Sequence, residues 1–206
     1  MSANADGRLA RGELRKTLLL DAAVRVVAER GSGALTHRAA ATEAGVSVAS
    51  VTYHFPSIGD LHEAMFDHAG SRIGLAFRDV IEAASARADD VPEISASFVA
   101  HLVTERRADT TAVLEMIIAA GHDPSLRPLV RFFNDRLADI LGTYIGSRFG
   151  AITVAAAIQG LVLGYVAQSD VDDSQALHDA VVDLVRRYRG TPDTARDTTR
   201  SNSTQS

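Results

Sequence analysis

Residues 36–55, THRAAATEAGVSVASVTYHF, constrain this chain more than any other stretch. They hold two helical segments of about two turns each. Neither would persist alone in water, because nucleating a helix is costly and so few hydrogen bonds follow. The two can exist only as a packed pair laid on a longer helix. Such a pair needs a small residue where the helices cross, and Ala41 supplies it. It needs a residue that tolerates positive φ in the turn, which is Gly45. It also needs an aliphatic plug from the second helix onto the first, which is Val51, with Val46 filling the turn. Thr36 and Ser47 stand where N-caps are required, their hydroxyls able to accept the free N–H groups of each first turn.

Helical periodicity dominates the rest of the chain, and the spacing predicts nine helices in all. The first is expected over Glu13–Arg30, with Leu19, Ala22, Ala23, Val26 and Val27 as one apolar stripe and Gly31 as its terminator. The short pair ends near Ala44 and His54, and Pro56 breaks the chain. Ser57 and Asp60 have the spacing of a capping box at the head of a long helix running to Arg87. A loop is expected at 88–92. Further helices are expected over Pro92–Arg107, Thr110–Ala120, Ser125–Ser147, Ala151–Ser169 and Ser174–Arg189. Residues 190–206 are polar, without a large apolar side chain, and are expected to be disordered. Strand signals are scarce: aromatic residues make up 5%, and sustained period-two alternation is rare. The expected class is all-α.

Several function classes drop out. The chain has no cysteine, which removes disulfides, thiolate metal sites and cysteine nucleophiles. His62, His68, His101, His122 and His178 are scattered, and no metal-binding or phosphate-binding motif is present. No cofactor or metal is expected, and no enzyme. The most apolar run, 151–167, carries Gln159 and reads as a buried helix, so no membrane contact is expected. The polar N-terminus has no export signal, and a cytoplasmic location is expected. Net charge is −5, distributed as +1 over residues 1–60 and −6 over the remainder. Charge alone makes no case for nucleic acid.

The short pair does make that case. Two helices joined by a tight turn form a helix-turn-helix, whose second helix enters the major groove of duplex DNA. The exposed face of that helix carries Val48, Ala49, Thr52 and Tyr53. The capped N-termini at Thr36, Ser47 and Ser57 offer backbone N–H groups to phosphates, which fits a modest net charge.

Over Leu19–Leu61 the chain resembles the TetR family of bacterial regulators. The resemblance is carried by LLLDAAVRVVAERG, LTHRAAATEAGVS, VTYHFPS and the Asp60-Leu61 opening of helix four. It implies a three-helix DNA-binding domain over 13–60, preceded by a flexible arm (1–12) and followed by a ligand-binding and dimerisation domain over 61–189. It implies that Thr36 and His37 lie on the phosphate-backbone side, and that Arg38 reaches a base or phosphate. Ser47, Ala49, Ser50 and Thr52 then fall on the recognition helix, Tyr53 and His54 lie along the backbone, and Phe55 anchors the core. Three positions depart from the pattern. Ile58 stands where a phosphate-contacting lysine is usual, Thr52 where tyrosine is common, and Ala49 where glycine is frequent. Arg8 and Arg11 in the arm could offset the first by reaching a minor groove.

The implied activity is a repressor released from its operator by a small organic effector; an activator, or a helical adaptor without a small-molecule ligand, is the alternative. A pocket is expected among helices four to eight, with Met65, Phe66, Phe98, His101, Glu115, Met116, Phe133, Tyr144, Gln159 and Tyr165 as candidate lining. A homodimer is expected through helices eight and nine, using the small residues Ala155, Ala156, Gly160 and Gly164 and the apolar face of Leu177, Ala180, Val181, Leu184 and Val185.

Overall fold

A computed structural model describes residues 3–87, 91–168 and 174–189, with side chains for 12–80, 91–168 and 174–189. The expected tail at 190–206 and the side chains of Arg8 and Arg11 lie outside the described residues. Among the described residues there are nine α-helices and no strand: α1 (Ala3–Arg30), α2 (His37–Ala44), α3 (Val48–His54), α4 (Ile58–Arg87), α5 (Val91–Val103), α6 (Arg107–Ala119), α7 (Arg127–Ile145), α8 (Arg148–Ala167) and α9 (Ser174–Tyr188). Short 3₁₀ turns at Ser32–Ala34 and Pro124–Leu126 precede α2 and α7.

Most helix ends fall where side-chain chemistry puts them, and the exceptions are instructive. α1 starts at Ala3, so most of the expected arm is helical; its alanine, arginine and leucine are good helix formers despite the polar composition. α5 takes in Val91 and Pro92 from the expected loop, since proline is tolerated in a first turn. It stops at Val103, before the expected Arg107. α6 begins at Arg107, and Thr110, expected to open it, lies inside and is buried. The Thr110 hydroxyl donates to the Leu102 carbonyl at 3.0 Å, crossing the break between the two helices. α8 opens three residues early because Ser147 caps it, its Oγ accepting from Gly150 N at 3.0 Å.

The chain divides into two compact units. One comprises Met1–Asp79 and His101–Val130, the other Val80–Ala100 and Arg131–Ser206. In the first, Leu19, Ala22, Ala23, Val26 and Val27 of α1 are fully buried with Leu61 and Met65 of α4 and Met116 of α6. α6 packs along α1, which is why residues assigned from sequence to the C-terminal domain group with the N-terminal helices. In the second unit α8 packs on α9, and Val154, Val181 and Val185 have no exposed surface or almost none.

Candidate nucleic-acid interface

The α2–α3 pair has the geometry its composition demands. Thr36 Oγ1 accepts from Ala39 N at 3.0 Å, and Ser47 Oγ accepts from Ser50 N at 3.3 Å. Gly45 takes φ 67°, and the Val46 N–H closes the turn on the Ala41 carbonyl at 3.0 Å. Ala40, Ala41 and Val51 are buried, and Val46 is half-buried. Arg25 of α1 meets Glu43 of α2 at 2.7 Å on the outer edge of that packing. At the far end Phe55 is buried, and Ser57 and Asp60 form a reciprocal cap: Ser57 N donates to Asp60 Oδ2 at 2.9 Å and Asp60 N to Ser57 Oγ at 3.0 Å. Those bonds to the charged form hold the Asp60 carboxyl below its ordinary pKa.

The side chains left outside define the face of α3. Tyr53 is 82% exposed and Val48 42%. Arg38, Ser47, Ala49 and Thr52 are exposed, and Ser50 and His54 are half-buried. The Tyr53 and His54 rings meet edge-on at 5.2 Å. Two expected contact residues are already engaged. His37 Nε2 donates to the Phe55 carbonyl at 2.7 Å, tying the start of α2 to the end of α3. The Thr52 hydroxyl donates back to the Ala49 and Val48 carbonyls at 3.2 and 3.3 Å. His37 is therefore first a brace, while the Thr52 methyl and hydroxyl oxygen remain outward.

An open groove of about 870 Å³ runs between α1 and α3. Ser47, Ala49, Ser50, Tyr53 and His54 form one wall, and Leu14, Arg15 and Leu18 form the other. Sequence reasoning missed the α1 wall. Its signal was present: Leu14 and Leu18 are one turn apart and lie off the buried stripe, at 63% and 56% exposure.

The expected pocket residues fall in both units. Met65, Phe66 and Met116 are buried in the first, where His101 and Glu115 are half-exposed. His101 lies 3.7 Å from Glu105 on the next turn. Phe98, Phe133, Gln159 and Tyr165 are half-buried and Tyr144 exposed in the second. Gln159 donates to Asn134 at 3.1 Å. No group of three or more metal-ligating side chains occurs among the described residues. One helix there, α8, is long and apolar enough to cross a membrane by length and composition.

Comparison with known proteins gives a consistent result. Residues 19–65 match the family described as bacterial regulatory proteins, tetR family, and residues 86–189 match the tetracyclin repressor-like C-terminal domain. No curated protein matches the chain. Among solved structures, the multidrug binding protein EbrR complexed with imidazole is 26% identical, covering 87% of this chain and 97% of its own, with a TM-score of 0.63. The same protein complexed with ethidium is 27% identical over 82% and 98%, at 0.63. A TetR-family member from Streptomyces coelicolor is 27% identical over 82% and 97%, at 0.66.

Proposed function

The chain belongs to the tetR family of bacterial regulatory proteins, and from that premise we propose that it is a cytoplasmic, homodimeric repressor released from its operator by a small organic effector. The observation that carries the DNA half is the α2–α3 pair. Val51 and Gly45 lock it, and the face of Ser47, Val48, Ala49, Thr52 and Tyr53 is left outward. An α-helix fits the major groove, and side chains on its outer face meet base edges there. Tyr53, His54, Arg38 and the capped N-terminus of α2 lie on the phosphate side. Arg15, across the groove from Ser47, adds a cation to the same backbone path.

The effector half is supported by EbrR, whose complexes contain ethidium and imidazole. We assign the effector to the same broad class, a small flat organic molecule. Met65, Phe66, His101, Glu115 and Met116 in one unit, and Phe98, Phe133, Tyr144, Gln159 and Tyr165 in the other, are its candidate contacts, each set within its own unit. The dimer is assigned mainly to α8. Phe149, Ile152, Ala156, Gly160, Leu163 and Ala167 are all exposed at steps of three or four, one continuous seam. On α9, by contrast, Leu177, Val181 and Val185 are consumed inside their own unit, so α9 flanks the interface.

Footprinting of genomic fragments tests the reading. Protection of two half-sites about one helical turn apart is the expected result. Affinity should fall steeply with salt, by about 0.9 log units per contacted phosphate per decade. Because ethidium itself intercalates in duplex DNA, it is added to the DNA-free chain, whose melting temperature should rise. Absence of any protected fragment would refute the DNA assignment; a melting temperature of the DNA-free chain indifferent to ethidium and related dyes would refute the effector class.

A further inference from the structure

In the first unit α1, α4 and α6 meet around a cluster of charges. Asp21 of α1 accepts from His68 Nε2 of α4 at 2.8 Å and from Arg72 Nη1 one turn further along. Arg72 Nε in turn pairs with Asp109 Oδ2, in the first turn of α6, at 3.1 Å. Arg106, just before α6, approaches the same oxygen at 4.0 Å. One guanidinium thus bridges a carboxylate on α1 and a carboxylate on α6.

The Asp109 end is chemically expensive. Its side chain is 3% exposed, and Oδ1 has no hydrogen-bond partner; the buried Arg106 Nε has none either. Burial raises the Asp109 pKa, against the pull of Arg72, Arg106 and His68 and with a small push from Asp21. Keeping an ionised carboxylate there destabilises the fold. The adjacent Thr110 also ties the start of α6, through its hydrogen bond to the Leu102 carbonyl. Two acids, Asp21 and Asp109, face two arginines, Arg72 and Arg106. Neutralising Asp109 leaves a net positive charge around Arg72.

We propose that Asp109 is a positioning residue for operator binding, acting through Arg72 on Asp21 to hold α1 in the placement that α2 and α3 require. This rests on the reading that α3 enters duplex DNA. The path from the cluster to the reading face is short. α2 packs along α1 with Ala40 and Ala41 buried, and the Arg25–Glu43 pair at 2.7 Å lies beside that seam. The end of α1 also lies against α6, since a Cβ at Gly31 would stand 3.3 Å from Glu115 Oε2. A shift of α6 therefore reaches α1 at Asp21 and again at the turn leading into α2.

The test uses the full chain and two variants, Asp109→Asn and Asp21→Asn, which cut the link at opposite ends. Amide exchange is followed without DNA. Affinity is measured for a duplex that the parent selects from a randomised library. Both variants should exchange several-fold faster over residues 19–24 of α1, and both should bind the duplex roughly tenfold more weakly. The double variant should be no weaker than either single, because one link is broken once. Thr110→Val serves as the structural control: it should melt earlier yet keep parental affinity when folded. Parental affinity in Asp109→Asn, or unchanged exchange in α1, overturns the proposal. So does a strictly additive double variant. If the parent selects no duplex, the DNA reading fails by itself, and the exchange data still decide whether α6 holds α1.

Discussion

Val51 and Tyr53 sit two residues apart on α3 and have opposite work to do. Val51 has no exposed surface and fills the seam against α2, whereas Tyr53 is 82% exposed. Trimming Val51 to alanine removes two buried carbons and leaves a void that the short pair cannot close. Val51→Ala should cost about 2 kcal/mol in a urea melt. Tyr53→Ala should leave stability within about 0.5 kcal/mol and weaken operator binding, since it loses only outward surface. Reversal of that pattern would mean that α3 presents its other face. Gly45 offers a cleaner test of backbone alone, because a Cβ there meets nothing within 4 Å while φ is 67°. Gly45→Ala should therefore cost about 1–2 kcal/mol, from the left-handed conformation only. These roles were legible in the sequence because each demands a residue type at a fixed offset. The bracing role of His37 was not: its partner, the Phe55 carbonyl, lies 18 residues away and carries no side-chain signal.

At the scale of helices, what could be read depended on whether an end is set locally. α2, α3 and α4 start after Thr36, Ser47 and Ser57, each a hydroxyl bonded within its own first turn. The break between α5 and α6 has no such marker. It is held by Thr110 reaching back to Leu102 and by buried Asp109 meeting Arg72 of α4, both tertiary contacts that periodicity cannot show. Asp109 also gives α6 a pH signature. Its pKa is raised by burial, so the folded chain binds this proton more tightly than the unfolded chain does. Its ionisation subtracts stability as pH rises through the folded value, and the subtraction disappears below the ordinary carboxylate range. The melting temperature of Asp109→Asn should thus match or exceed that of the parent at pH 7. As the solution is acidified toward pH 4, the parent should gain on the variant. A parent that instead loses ground to Asp109→Asn on acidification would show that the ion pair with Arg72 outweighs the cost of burial.

For the whole molecule, the chain's apolar surface must serve two purposes, its own core and its partner, and a single sequence shows their sum. Helices α8 and α9 both read as interface from their composition. The folded chain buries Leu177, Val181 and Val185 of α9 within their own unit and leaves Phe149, Ile152 and Leu163 of α8 outward at 63%, 49% and 42% exposure, which is why the proposed interface is placed mainly on α8. The same outward stripe makes α8 apolar enough to pass for a membrane span. A second copy of the chain is the cover we propose, because reading two half-sites would need two reading heads, and symmetry lets one surface serve both copies. Ile152 lies within the seam and is not buried in its own unit, so Ile152→Glu places a charge in the dimer and nothing unfavourable in the monomer. The variant should keep its helical circular dichroism and, if the proposed dimer forms through this seam, sediment as a monomer at concentrations where the parent sediments as a dimer, and bind the proposed operator more weakly, because a lone α3 has one half-site to grip. A variant that remains dimeric would move the interface off this face of α8. One that becomes monomeric yet binds the full operator as before would remove the need for two heads.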